Sequence, residues 1–152
     1  MVNYEFLRAA VKRSFYEIGL LAAQLTDELV QSYPLKGGRP LGDVFLHILR
    51  SAVAYSRGLA TDVWKPVDYS LKRYSTAKAI QRLLQDVLKK VEAHLDRVTP
   101  EMMLELVDSL NRPATKGAIL AEMIEHTAHH RGQITAYFRL LGVTPAEIPY
   151  IV

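Results

Sequence analysis

Five histidines and no cysteine set the chemistry open to this chain. Two of the histidines fall one helical turn apart in the segment Glu125-His126-Thr127-Ala128-His129-His130-Arg131-Gly132-Gln133. On a helix, residues four apart stand one above the other, so His126 and His130 can aim their imidazoles at one point, which suits a divalent metal ion. Two ordinary solvated histidines fit the same spacing. The lack of cysteine excludes a disulfide framework, a thiolate nucleophile and a Cys-containing zinc site, so thiol chemistry would need a thiol from outside.

Helical position separates the histidines of that segment. The apolar residues Ile119, Leu120, Met123, Ile124, Ile134, Tyr137, Phe138 and Leu141 span roughly 140° of a helical wheel. His130 falls inside that stripe, His126 on its edge, and His129 well outside, toward solvent or a partner chain. An imidazole pair turned toward the core flank needs partners, and a metal would supply them. Arg131 also lies in the stripe: either a buried carboxylate meets it or its stem snorkels to the surface.

His47 sits on the flank of an earlier apolar stripe, on a face shared with Ser51, Ala54 and Gly58. These small residues would let a neighbouring helix approach or leave a pocket beside the imidazole, and bundles place ligands between helices. His94 reads as a packed or solvated histidine. Tyr4, Tyr16, Tyr55, Tyr137 and Trp64 read as core, rim or interface aromatics, with Tyr55 and Tyr137 within reach of a pocket. Asp43 and Glu122 each stand one turn from a histidine but away from the apolar stripes.

The elements that must position these residues are helical. Apolar residues recur at three-and-four spacing from Tyr4 to about Tyr33, where Pro34 and Gly37-Gly38 end the run. A second helix is expected from Pro40 to Leu59, with Leu41, Val44, Phe45, Ile48, Leu49 and Ala52 as its stripe. Thr61 to Tyr74 lacks sustained periodicity and reads as a long crossover loop. Ser75 to Val98 forms a third helix, a short helical segment is expected over Glu101 to Leu110, and Thr115 is a good N-cap for a last helix ending at Gly142. No segment has strand periodicity, so the chain reads as all-α and as one domain over residues 1–152.

Hydrophobic residues make up 49% and charged residues 23%, a globular composition. The 19 basic residues are scattered among 16 acidic ones, and the net charge of +3 gathers on no face, so nucleic acid is not an expected partner. The amino terminus lacks a signal-peptide pattern and no run is long enough to span a bilayer, which makes no membrane role and a cytoplasmic location the expectation.

The arrangement resembles the DinB/YfiT-like family of metal-binding four-helix bundles over nearly the whole chain. Members typically carry one histidine in the second helix and a His-x-x-x-His pair in the fourth, followed by Arg-Gly-Gln and a Tyr-x-Arg-Leu-Leu-Gly-like stretch. Here these are His47, His126, His130, Arg131-Gly132-Gln133 and Tyr137-Phe138-Arg139-Leu140-Leu141-Gly142. The resemblance implies an up-down-down-up bundle, a tendency to homodimers, and a metal site formed by His47, His126 and His130. Three nitrogen ligands leave a coordination position open, as catalytic zinc sites do. Imidazole suits Zn, Ni, Fe and Cu alike, so the ion is unspecified.

Characterised relatives look like thiol-dependent S-transferases or isomerases, which implies a low-molecular-weight thiol and a small electrophilic substrate as partners. Two other readings stay open: a metal-dependent hydrolase, and a non-catalytic metal-binding bundle acting as a stress-response partner. A pocket beside the histidines favours an enzyme, and a capped site favours a binding module.

Overall fold

A computed structural model describes residues 3–150 of the chain. Its long helices are α1 (Tyr4–Ala22), α3 (Leu41–Thr61), α4 (Ala77–Leu95) and α5 (Lys116–Leu140), with a short α2 (Asp27–Gln31) between the first two.

Side chains fix most of the helix starts. Asn3 accepts a hydrogen bond from the Glu5 N–H, Thr76 from Ala79 and Thr115 from Ala118, each satisfying a donor that the first turn leaves free. Asp27 adds a second acceptor at the start of α4, taking the Ala77 N–H at 2.8 Å. The end of α5 is a Schellman motif: Gly142 is left-handed at φ 77°, its N–H reaches Arg139, and the Val143 N–H returns to the Phe138 carbonyl at 2.8 Å.

Contacts between the helices give their directions. Tyr4 donates to the Leu95 carbonyl and Gln81 to the Ala22 carbonyl, so α1 and α4 are antiparallel. Asp62 at the end of α3 meets Lys116 at the start of α5, and these two are antiparallel as well. Glu17 pairs with Arg131, and Gln24 donates to the Thr144 carbonyl, so α1 and α5 run together. The long helices therefore form an up-down-down-up bundle, with residues 62–76 as the crossover. Ile18, Leu21, Phe45, Leu49, Ile80, Leu120 and Phe138 fill its centre with almost no exposure. Each such side chain contributes about 1.5–3 kcal/mol relative to an exposed position.

Three local features depart from the sequence expectations. The first helix stops at Ala22 rather than near Tyr33, because the Thr26 hydroxyl caps a new helix whose first turn holds Asp27 and Glu28. The apolar spacing runs through Leu25 and Leu29 across this break, which hides it. In place of a helix over Glu101 to Leu110 there is one 3-10 turn, Glu101–Leu104. It is followed by a two-stranded ribbon pairing Leu106 with Thr115 and Val107 with Ala114. The Glu105 carbonyl accepts from Lys116 N–H at 2.9 Å, which draws this backbone into pairing with the start of α5. Strands of two residues are too short to show a period.

Candidate metal centre

His47 projects from the middle of α3, and His126 and His130 from successive turns of α5, where the antiparallel packing sets the three side by side. One nitrogen from each lies within 4.8 Å of the other two. His47 Nε2 faces His126 Nε2 at 3.0 Å, and the His130 ring stands edge-on to both. All three are partly buried. Burial, with repulsion from the neighbouring imidazoles, lowers His47 and His126 to about 4. His130 is lowered by burial, partly offset by its bond to Gln133. Near neutral pH the cluster thus presents neutral nitrogens, the form that ligates metal.

The cluster fits a divalent cation. Among the described residues no carboxylate bonds to any of the three rings, and the Nε2 atoms of His47 and His126 have only each other as partners. Three neutral imidazoles converging on one point with no carboxylate bonded to them are the donor set of an open zinc-type centre. His129 stays outside the cluster: it is exposed, with its ring 4.8 Å from that of His130. His94 is elsewhere, its Nδ1 on the buried Ser56 hydroxyl at 2.9 Å.

Two cavities lie near the cluster, and the larger of them is lined by a cluster histidine, His130. One, of about 590 Å³, is lined by Ser51, Ala54, Tyr55, Trp64, Arg112 and Glu122 among others. Ser51 is one turn from His47 and Glu122 one turn from His126, and the Tyr55 ring centroid is 6.1 Å from that of His126. The small residues Ser51 and Ala54 leave this space open. Gly58 is filled instead by Trp64: a Cβ there would lie 2.1 Å from the indole. The second cavity, about 750 Å³ and more open, is bordered by Gly37, Gly38, Arg39, His129, His130, Gln133 and Tyr137.

Charged residues surround the site in pairs. Asp43 meets Arg39 at 2.9 Å and Arg50 at 3.0 Å. Burial pushes the Asp43 carboxyl up, but those two partners outweigh it and hold it below the usual carboxylate range. Glu122, despite lying off the apolar stripe, is drawn to the first cavity, where Arg112 pairs with it and the Tyr55 hydroxyl donates to it at 3.4 Å.

Matching of the whole sequence against known families gives the DinB family over residues 8–151. The chain belongs to the DinB family. Among individual relatives, the uncharacterized protein YjoA of Bacillus subtilis is 24% identical over 133 residues, covering 86% of this chain and 84% of its own length. The crystal structure of that DinB-like protein superposes with a TM-score of 0.78 at 20% identity, over 95% of both chains. A DinB-like protein from Bacillus cereus superposes with a TM-score of 0.74 at 25% identity, over 97% of both chains. In this DinB-family chain, as in its fold, no described helix is long and apolar enough to cross a membrane.

Two residues escaped the sequence reading. Glu17 on α1 is buried at 3% exposure and pairs with Arg131, so a buried carboxylate rather than snorkelling explains that arginine in the α5 stripe. Its signal was a carboxylate set between Ser14, Ile18 and Leu21 on the apolar face of α1. Gln133 accepts from His130, and its signal was the three-residue spacing from that histidine.

Proposed function

We propose that the chain is a metal-dependent enzyme in which His47, His126 and His130 hold one divalent ion and which transfers a low-molecular-weight thiol to a small electrophile. The observation that carries this reading is the set of three converging neutral nitrogens, one of whose rings, His130, lines an open cavity. An ion held there would keep coordination positions free and, as a Lewis acid, would lower the pKa of a thiol or a water.

The surrounding residues supply binding and orientation. Arg39 and Arg50 make the neighbourhood of His47 electropositive, which favours an anionic sulfur over a neutral one. Tyr55, Trp64 and Ile119 give the smaller cavity an apolar wall, and Arg112 and Ser51 give it polar contacts. The reaction joins sulfur to an electrophilic carbon: in substitution the thiol proton leaves with the displaced group as its acid, and in addition across a double bond it passes to the adjacent carbon.

A hydrolytic reading has one observation in its favour. Glu122 borders the smaller cavity next to Tyr55, where a carboxylate could take a proton from water. The deciding experiment compares metal-loaded, chelated and His130→Ala protein with a panel of small thiols plus a soft electrophile, and with esters and amides. Metal- and thiol-dependent conjugation supports the transferase. Metal-dependent hydrolysis without thiol dependence replaces it, and inactivity in both assays moves the reading to a binding bundle.

A further inference from the structure

His130 differs from the other two histidines in having a hydrogen-bonded side-chain partner outside the cluster. Its Nδ1 lies 2.8 Å from Gln133 Oε1, and Gln133 Nε2 donates to the Tyr137 hydroxyl at 3.1 Å. The three residues follow one another at helical spacing along α5, and all border the larger cavity. Tyr137 is buried, and its hydroxyl reaches the loop before α3, where a Cβ on Gly38 would lie 2.9 Å from it.

The direction of these bonds fixes a proton. An amide carbonyl only accepts, so the Nδ1 facing it must carry the hydrogen. A neutral imidazole has one N–H, which leaves Nε2 with a free lone pair. Were the amide rotated by half a turn, its NH2 would face His130, Nδ1 would become the acceptor and the proton would move to Nε2. In the amide orientation of this structure the NH2 end is spent on the Tyr137 hydroxyl, which leaves the carbonyl end for His130.

We propose that Gln133, held by Tyr137, is a positioning residue that sets the His130 tautomer and thereby makes the three-histidine cluster competent to bind a divalent ion. The inference rests on the metal-site reading above for its consequence, but the tautomer itself belongs to the metal-free protein. Partners of this kind are commonly worth about 10–100-fold in metal affinity.

The test has two readouts on the full chain. Long-range 15N–1H spectra of metal-free protein at mildly alkaline pH report which His130 nitrogen is protonated, and titration with zinc alone reports affinity. Wild-type protein is expected to show Nδ1–H on His130. Gln133→Leu is expected to shift His130 toward Nε2–H and to weaken zinc by about 10–100-fold, Tyr137→Phe to do so to a lesser degree, and Gln133→Glu, which keeps an acceptor, to retain both properties. Thermal unfolding of Gln133→Leu beside wild type checks that weaker zinc binding is not loss of the fold. Nε2–H on His130 in the wild type, or an unchanged tautomer in Gln133→Leu, overturns the assignment. If wild-type protein takes up no zinc, the metal-site reading fails, while the tautomer readout still decides the role of Gln133.

Discussion

The Nε2 atoms of His47 and His126 meet at 3.0 Å across the α3–α5 interface, each ring presenting the same nitrogen to the other. Two neutral imidazoles in that pose share one proton at most, so one lone pair serves the other's N–H and the remaining nitrogens must look elsewhere. Protonating the accepting ring would set two N–H donors face to face, and burial with repulsion from neighbouring imidazoles holds both groups to about 4. A cation held by both nitrogens and by His130 satisfies all three lone pairs at once.

The first consequence concerns ligand identity. His47→Ala, His126→Ala and His130→Ala are each expected to abolish stoichiometric metal binding, whereas His129→Ala, whose ring is exposed beside the cluster, is expected to leave it nearly intact. Elemental analysis of untagged protein checks this. Loss of metal in His129→Ala with retention in His126→Ala would show that the ligand set is wrong.

The same depressed values predict how the metal-free fold responds to acid. His47 and His126 titrate near 4 in the fold against 6.5 when unfolded, so between those values the unfolded chain binds more protons. Stability from these groups is therefore complete above the unfolded value and is lost as pH falls toward the folded one. Thermal melts across this window should show a steeper decline for wild type than for a His47→Gln, His126→Gln double variant. Identical slopes would mean that the imidazoles are not held neutral by the fold.

Glu17 and Arg131 give a stability prediction of a different kind. Their side chains are 4% and 18% exposed, and the pair joins α1 to the turn of α5 that carries His130. Glu17 is also paired with Arg13 at 3.0 Å, so Arg131→Met leaves the buried carboxylate one partner, whereas Glu17→Leu leaves Arg131 with none among the described residues. Glu17→Leu alone should therefore cost about 3–5 kcal/mol and Arg131→Met less. The double substitution should recover most of the Glu17→Leu loss, because the one charge left without its carboxylate, Arg13, is half exposed. Additive losses in denaturant melts would show that the two residues act independently.

Periodicity carried the bundle and its long loop because Leu41, Phe45, Ile48 and Leu49 repeat on one face, as do Ile80, Leu84, Val87 and Val91. It failed at Ala23–Thr26, where capping by the Thr26 side chain outweighed an apolar spacing that continued unbroken. The pairing of Lys116 with Asp62 and Glu105 was hidden for another reason: it depends on a left-handed Asp62 at φ 57° and on the ribbon, neither of which has a periodic signature. Within the site, helical phase was enough to separate His129 from His126 and His130. The approach of Glu122 to Tyr55 was not legible, because it joins two helices and a loop arginine.

Oligomeric state is open to a direct test. Phe6 and Tyr16 on α1 are 68% and 60% exposed, more aromatic surface than a solvated helix needs. This leads to the expectation of a homodimer, with a mass by light scattering near twice the 17.2 kDa of one chain. Phe6→Lys with Tyr16→Lys should then give a monomer. A wild-type mass near 17.2 kDa at micromolar concentration rejects the dimer.

The last prediction separates the two reaction classes through Glu122. Its carboxylate borders the smaller cavity, receives the Tyr55 hydroxyl at 3.4 Å and is paired with Arg112. Burial and the neighbouring carboxylate raise the Tyr55 phenol above its ordinary value, so at neutral pH Tyr55 is a donor rather than a base. Glu122 is then the group best placed to accept a proton from water, a role worth about 10²–10⁴-fold in rate where it operates. A thiol ionised by a Lewis acid has already lost its proton and does not need that help. Glu122→Gln keeps the shape and the Tyr55 contact while removing the basicity. It is expected to lower metal-dependent conjugation of a small thiol by less than about tenfold, and any metal-dependent hydrolysis by about 10²–10⁴-fold. Steady-state rates across pH check this, because loss of a general base also removes its limb from the pH profile. A collapse of thiol conjugation in Glu122→Gln, with metal content unchanged, would make Glu122 the base of the transfer and end the argument that the metal alone prepares the sulfur.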